Sequence, residues 1–317
     1  MHRFFIISAA IAAALLSTAG TVHAQANRTF VSGHGSDSNP CSLAAPCRSF
    51  AQALTQTGAG GEITILDPAG YGSVTINKAV SIVNDGVGEA GVTVMSGIAI
   101  TVSTGASDVV NLRGLTLVGS GGGQNGIVFN NLGALDIQNC VIRGFGNAVT
   151  GHGIAFVPTG TAALNVSDTI VSNATMDGIV VDPFGAGTVT AAFNRVQAIG
   201  NGGFGFFIDG SNSTGAVNVT IAHSTATNNR KSGVLGESNV GKAPTQVMVS
   251  SSVLSNNSEN GVEDSGMNST TYLARNTVVG NTTAFGVFSN GALFSFGDND
   301  IKGNGNDGSA ISLVSTK

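Results

Sequence analysis

The sequence of 317 residues contains no tryptophan, two tyrosines and six prolines, and charged residues make up only 10% of it. Scarce aromatic side chains disfavour a site that recognises its ligand mainly by ring stacking. The net charge is −5 and the largest basic cluster is Arg230-Lys231, so we expect neither nucleic acid nor an anionic membrane as a partner. No later apolar run approaches the roughly 20 residues that a membrane span needs, which predicts no span.

The first 24 residues have the pattern of a secretory signal peptide. His2 and Arg3 precede an apolar run from Phe4 to Leu16, and small residues lead to an A-x-A-like cleavage site after Ala24. We therefore expect cleavage after Ala24 and a mature chain that is secreted or periplasmic.

Three cysteines are present. Cys41 and Cys47 lie close together in a stretch rich in Pro and Asn, and in an exported chain this spacing predicts a local disulfide. Cys140 is left over, and we expect it to be a small buried apolar residue because free cysteine is among the most buried residue types.

Glycine is abundant, and a glycine followed by an apolar residue recurs every 22 to 29 residues. Most of these glycines follow an Asn, and a short apolar strand and another turn residue precede that Asn. Such short strands are unstable alone, whereas stacking the repeats would pair each strand with its copies and place Asn over Asn. The repeat glycines are Gly97, Gly126, Gly153, Gly178, Gly205, Gly233, Gly261, Gly286 and Gly308.

This repeat predicts an all-β fold, a single-stranded parallel β-helix with a right-handed coil, since parallel crossovers are overwhelmingly right-handed. The pattern resembles the pectate-lyase-like superfamily over residues 62 to 314. We expect a signal peptide at 1–24, an N-terminal segment with a cap at 25–61 and the β-helix at 62–317. Phe50, Ala53 and Leu54 are at helical spacing within Pro46 to Thr57, which predicts an amphipathic helix that covers the first coil.

Complete catalytic motifs of enzymes on that fold are missing. Polygalacturonases combine several acidic segments with Gly-His-Gly, and here only Gly151-His152-Gly153 matches, with no Asp-Asp pair anywhere. No contiguous pectate-lyase calcium cluster, methylesterase signature, nucleophile elbow or zinc spacing is found either. We therefore predict no metal site and no cofactor, with calcium as the one ion that clustered acids could hold.

Aligning the repeats on their glycines places three acids in one position. Side chains alternate along a strand and neighbouring strands are about 4.8 Å apart, so we expect an exposed acidic row with Glu263 and Asp264 near its end. Such a row could perform acid/base catalysis or bind calcium, although solvated turn residues would give the same pattern. The candidate catalytic residues are Asp182, Asp209 and Glu237.

Two residues after each glycine, the same alignment predicts an outward apolar column. Exposed apolar strips usually contact something: a saccharide, a second copy or another part of this chain. The candidate ligand-binding residues are Val180, Phe207, Leu235 and Phe288.

Two main hypotheses follow. The first is a non-catalytic exported β-helix with a binding or structural role at the cell envelope or outside the cell, its partner a polysaccharide or an envelope component. The second is a polysaccharide lyase or glycoside hydrolase that uses the acidic row. A trimeric adhesin or spike is a third, weaker interpretation.

Overall fold

The computed structural model describes residues 25–147, 150–308 and 311–314, so the signal-peptide prediction lies outside the described residues. Within them the chain forms one short helix, α1 (Phe50–Gln56), and 31 strands that pair in parallel. In chain order the strands are β1 (Ala26–Val31), β2 (Thr57–Ile65), β3 (Ala69–Gly70), β4 (Val74–Ile76), β5 (Val80–Val83), β6 (Ala90–Val94), β7 (Ile100–Val102), β8 (Val109–Arg113), β9 (Leu115–Gly119), β10 (Ile127–Phe129), β11 (Gly133–Gln138), β12 (Val141–Arg143), β13 (Ile154–Phe156), β14 (Ala162–Ser167), β15 (Ile170–Ser172), β16 (Ile179–Val181), β17 (Val189–Asn194), β18 (Gln197–Ile199), β19 (Phe206–Asp209), β20 (Val217–Ala222), β21 (Thr225–Thr227), β22 (Val234–Glu237), β23 (Thr245–Ser250), β24 (Val253–Ser255), β25 (Asn260–Ser265), β26 (Ser269–Ala274), β27 (Thr277–Val279), β28 (Thr283–Phe288), β29 (Ala292–Ser295), β30 (Asp300–Ile301) and β31 (Ser312–Leu313).

These strands form three sheets, and each complete coil contributes one strand to each sheet. Sheet 1 runs β1-β2-β5-β8-β11-β14-β17-β20-β23-β26-β29-β31. Sheet 2 runs β3-β6-β9-β12-β15-β18-β21-β24-β27-β30, and sheet 3 runs from β4 through β7, β10, β13, β16, β19, β22 and β25 to β28. Every strand pairs with its copy one coil away, so the predicted parallel β-helix is confirmed.

Six of the nine predicted glycines stack directly on one another, from Gly126 to Gly261. A Cβ on Gly178 would lie 2.8 Å from the carbonyl oxygen of Gly205, and one on Gly233 would lie 2.7 Å from that of Gly261. Real Cβ atoms do not approach carbonyl oxygens so closely, so glycine is required within the stack, and alanine takes the position only at its two ends. Gly97, Gly286 and Gly308 are outside the stack, because Gly126 is in register with Ala99, Gly261 with Ala284 and Thr283 with Asn306.

The turn from sheet 1 to sheet 2 contains one left-handed residue in each coil from Asn139 onward. Asn139, Asp168, His223 and Ser251 are four of these turn residues, and each has a φ near +50°. In two coils the left-handed residue is instead an arginine beside an asparagine: Arg195 follows Asn194, and Arg275 precedes Asn276. Arg195 is held by two hydrogen bonds to Asp168 on the neighbouring coil, at 2.6 and 2.8 Å.

A buried ladder of asparagines follows sheet 2 in the later coils. The Nδ2 of each Asn donates to the Oδ1 of the next at 2.9 to 3.0 Å. This stacking satisfies amides that would otherwise be buried without partners. The ladder contains Asn201, Asn229, Asn257, Asn281 and Asn304, while Ala174 occupies the equivalent position in the coil before Asn201.

The N-terminal end is closed by α1, whose Phe50, Ala53 and Leu54 are buried as predicted. Ser49 caps the helix, since its side chain accepts a hydrogen bond from the amide of Gln52. The predicted Cys41–Cys47 disulfide is present, and β1 lies ahead of it, paired with β2. The predicted boundary at residue 62 falls inside β2.

Cys140 is buried and unpaired, as expected. Burial raises the pKa of its thiol to about 11, so the thiol remains protonated and unreactive at neutral pH. No helix in the described part of the chain is long and apolar enough to cross a membrane.

Candidate functional site

The predicted site residues lie on sheet 3, where the outward side chains form parallel columns along the coil axis. Three columns are relevant: one before the stacked glycine, one two residues after it and one four residues after it. We call these the front column, the apolar column and the acidic row.

The acidic row contains Asp182, Asp209 and Glu237 on three successive coils, as the sequence predicts. Asp209 is in register with Glu237. Val181 is in register with Ile208 on the next coil, and Asp182 and Asp209 are the residues that directly follow them. All three are half-buried. Neighbouring strands are about 4.8 Å apart, so consecutive carboxylates influence one another.

The environments of the outer two carboxylates raise their pKa values. Burial raises the pKa of Asp182, and the nearby Asp209 raises it further, whereas a hydrogen bond from Asn212 at 3.0 Å opposes the shift. Burial likewise raises the pKa of Glu237, with added repulsion from Asp209 and Glu263 and an opposing attraction from Lys231. A raised pKa permits a carboxylic acid to donate a proton closer to neutral pH.

The apolar column lies beside this row. Val180, Phe207 and Leu235 are in register on successive coils, preceded by Val128 and Ala155. Although they face outward, Val180 and Leu235 are only 6% and 4% exposed. The ring of Phe207 packs on that of Phe204, with centroids 5.1 Å apart. The column is thus a nearly covered apolar floor with Phe207 at its most accessible point.

Phe288 is not part of this column. It is in register with Ser265, which continues the acidic row, and it is half exposed near the C-terminal end of sheet 3. The residue that follows Leu235 and Glu263 in the apolar column is Gly286. The predicted register is therefore wrong by two residues in this last coil.

Asp264 does not extend the acidic row either. It is in register with Gly236, whose column points into the core, and its exposure is 0%. Ser269 and Thr271 donate hydrogen bonds to Oδ2 at 2.9 and 2.6 Å, and the amide of Ala292 donates to Oδ1. Burial outweighs these bonds and raises the pKa of Asp264 to about 6.

Glu263 occupies the apolar column as a fixed carboxylate. Its Oε2 accepts hydrogen bonds from the hydroxyl of Ser232 at 2.6 Å and the amide of Asn260 at 3.0 Å. Glu263 therefore ends the apolar floor with a polar group whose orientation is set.

The front column brings together two residues that the glycine alignment did not connect. His152 and Asp177 each come directly before a stacked glycine, and Nδ1 of His152 lies 3.3 Å from Oδ2 of Asp177 without a well-aligned hydrogen bond. Asp177 is buried, and its Oδ1 accepts a hydrogen bond from the amide of Phe204 at 2.7 Å. His152 is also close enough to Asp182 to lower its pKa electrostatically, so this pair and the acidic row belong to one face.

The sequence signal for this pair was the residue immediately before each stacked glycine. The alignment compared only the positions after the glycine, and the weak Gly151-His152-Gly153 match pointed to His152 alone, so Asp177 was not predicted. In the described part of the chain, no three His, Cys, Asp or Glu side chains converge as a metal-binding group. The acids of sheet 3 are therefore a row along the coil axis and not a compact cage.

Comparisons with known proteins give structural similarity only. No protein-family model matches the chain, and no curated protein matches it significantly in sequence. The A-module of mannuronan C-5 epimerase AlgE4 from Azotobacter vinelandii is similar in structure, with a TM-score of 0.51 at 15% identity over 81% of this chain and 91% of that one. The chain thus shares the parallel β-helix fold with this structure.

Two further β-helix structures resemble the chain to a similar degree. The A-module of AlgE6 from the same organism has a TM-score of 0.50 at 16% identity, covering 74% of this chain and 71% of that one. A GH136 lacto-N-biosidase from Eubacterium ramulus has a TM-score of 0.50 at 9% identity, covering 92% and 67%. At such low identity the likeness establishes the scaffold and leaves the chemistry to the residues.

Proposed function

We propose that this is an exported protein that binds an elongated polysaccharide along the outer face of sheet 3. The observation that carries the proposal is the acidic row beside the apolar column, both in register over three coils. Ligand sites typically combine an apolar floor with a few placed polar groups. A polymer aligned with the coil axis would meet the same pair of groups on each coil.

The charges on this face favour an uncharged sugar chain. Carboxylates accept hydrogen bonds from hydroxyl groups, whereas the negative charges of an acidic polymer would be repelled by Asp209 and its two neighbours. The apolar faces of sugar rings could lie over Val180, Phe207 and Leu235. The structural neighbours named above act on saccharides according to their names, which fits the proposal by analogy alone.

The test is calorimetric titration of the purified protein with neutral and acidic oligosaccharides. We expect neutral chains to bind, and Asp209→Asn to weaken binding at least tenfold, because it removes the central charge and replaces one acceptor oxygen with an amide donor. Asp300→Asn is the matched control, because Asp300 is exposed on a strand of sheet 2. Unchanged binding in Asp209→Asn, or equal weakening in both variants, would exclude this face.

A second candidate function, a glycoside hydrolase or polysaccharide lyase, is favoured by the raised pKa values of Asp182 and Glu237 on either side of Asp209. Paired carboxylates at close spacing supply the acid and the base or nucleophile of glycoside cleavage, and His152 beside Asp177 supplies another acid/base group. Incubation with the bound oligosaccharide should then release new reducing ends or an unsaturated product, and Asp209→Ala should abolish the release. Binding without any product would exclude the enzymatic function and support the binding function.

A further inference from the structure

We propose that the outer face of sheet 1 carries a second saccharide site, a shallow groove for an uncharged oligosaccharide. The groove has a volume of about 360 Å³ and crosses the coils from β14 to β26, which is within the size range of small-ligand sites. It lies on a different sheet from the face proposed above and shares no residue with it, so it extends the function beyond that proposal.

The groove exists because one outward column of sheet 1 contains a small residue between larger neighbours. Asn165, Ala192, Thr220, Met248 and Tyr272 are in register on successive coils. Ala192 makes the depression, and Met248 and Tyr272 form its end. The adjacent outward column, with Thr190, Asn218 and Gln246 in register, forms the side wall.

The lining consists of amides, hydroxyls and apolar groups and contains no charged side chain. Amides and hydroxyls both donate and accept hydrogen bonds, as do the hydroxyls of a sugar. A charged ligand would lose hydration here without meeting an opposite charge, which is costly. The lining is thus complementary to an uncharged, hydroxyl-rich ligand.

The wall side chains are available for a ligand. In earlier coils the outward amides of this sheet are already used: Asn111 donates to the hydroxyl of Ser81 at 3.1 Å and Asn165 to Asp136 at 2.7 Å. Among the described residues, the side chains of Asn218 and Gln246 have no such partner within the protein. They are exposed and therefore remain free to bind hydroxyls.

One end of the groove is aromatic. The ring of Tyr272 stacks on Phe294 with centroids 5.6 Å apart and an angle of 23°, and Phe296 lies 6.5 Å from it at 27°. This half-buried aromatic cluster fixes the ring of Tyr272 at the groove end. A ring held in this way presents an amphipathic edge with its hydroxyl to a ligand.

A protein strand is a poorer occupant than a sugar. Strand addition requires unpaired backbone groups at a sheet edge, whereas the strands that line the groove are paired on both sides. Only side chains are offered to the ligand, and they offer hydrogen bonds without a continuous apolar surface.

The chain provides its own probe for this site. It contains no tryptophan and only two tyrosines, of which Tyr71 is buried and donates a hydrogen bond to Asp67. We therefore expect the emission of Tyr272 to report binding. When the purified protein is titrated with cello-, laminari- and malto-hexaose, at least one of them should change the tyrosine emission until the signal saturates. In Tyr272→Phe the signal should disappear, while the affinity measured by calorimetry stays within about threefold.

Groove variants decide the proposal. Ala192→Arg should fill the depression and weaken the emission-detected binding at least tenfold, and Asn218→Ala with Gln246→Ala should weaken it at least fivefold. Gln197→Arg is the control, because Gln197 is exposed on sheet 2 in the same coil as Ala192. Circular dichroism melting should show that all variants remain folded.

The proposal is overturned if none of the three hexaoses changes tyrosine emission at millimolar concentration, or if Ala192→Arg binds as the unmodified protein does. Asp209→Asn separates the two faces: it should remove the sheet 3 event and leave the tyrosine signal intact. Binding at sheet 1 should also be insensitive to salt, because no charge lines the groove, so a strong salt dependence of the tyrosine signal would contradict the assignment as well.

Discussion

The same inward column of sheet 3 has opposite character in the early and the late coils. Phe129 and Phe156 stack in the early coils with centroids 4.7 Å apart and no exposure. Three and four coils after Phe156 the column contains Gly236 and the buried Asp264. The Asn ladder also begins only at Asn201, where the preceding coil has Ala174. A solenoid can thus keep one backbone path while its interior changes from apolar packing to hydrogen bonding.

The largest expected loss of stability comes from the apolar part of this column, in the early coils. Phe156→Ala removes a fully buried ring and leaves a cavity against Phe129, so it should lower the free energy of unfolding by about 3–5 kcal/mol. Phe288→Ala removes a half-exposed ring and should cost less than about 1 kcal/mol. Urea unfolding of both variants measures the contrast, and similar losses would refute the difference in packing.

The next largest effect is a pH dependence of stability that comes from Asp264, in the polar part of the column. The pKa of Asp264 is raised to about 6 in the folded protein, so the folded state binds this proton more tightly than the unfolded chain does. Its contribution therefore increases stability as the pH falls from about 7 to 4, by at most about 3 kcal/mol.

Asp264→Asn should remove that contribution, because the amide does not titrate. The stability difference between the protein and the variant should then vary with pH across this window, and Asp300→Asn, at an exposed site, should show no such difference. A pH-independent difference for Asp264→Asn would mean that the carboxylate is not held as described.

The smallest of the three effects should come from the Asn ladder. Asn257→Ala removes the acceptor for the amide of Asn229 and the donor to Asn281, leaving buried polar groups unpaired. We expect a loss of about 2 kcal/mol, against less than about 0.5 kcal/mol for Asn218→Ala on the exposed face of sheet 1. Equal losses measured by urea unfolding would contradict a buried ladder.

Sequence periodicity predicts the architecture because six successive coils place a glycine where the backbones approach. It fails in the last coil because Ala284 takes the glycine position there, and the glycine that fits the repeat, Gly286, comes two residues later. Gly205, Gly233 and Gly261 each follow a ladder Asn by four residues, whereas Ala284 follows Asn281 by three. Alignment on the asparagines would have shown Gly286 to be out of register, and with it Phe288.

The acidic row was predictable because alternation and strand spacing fix which side chains are neighbours. The inward position of Asp264 was not, since a carboxylate at an inward position violates the polar-out pattern, and only Ser269, Thr271 and the amide of Ala292 make it tolerable. The groove on sheet 1 was equally hidden: it depends on a small Ala192 beside larger residues on neighbouring coils, which no local motif records.

Asp264 also bears on how the molecule opens. Coils of a solenoid contact only their neighbours, so the stability of each depends on adjacent pairs. A buried ionised group near the C-terminal end makes those coils the ones that separate first at neutral pH, with faster amide hydrogen exchange there than around Phe156. Fraying of that kind would spare the coils that carry Asp182 and Asp209. The end of the groove at Tyr272 would open with it, because Tyr272 lies on the strand whose Thr271 donates to Asp264.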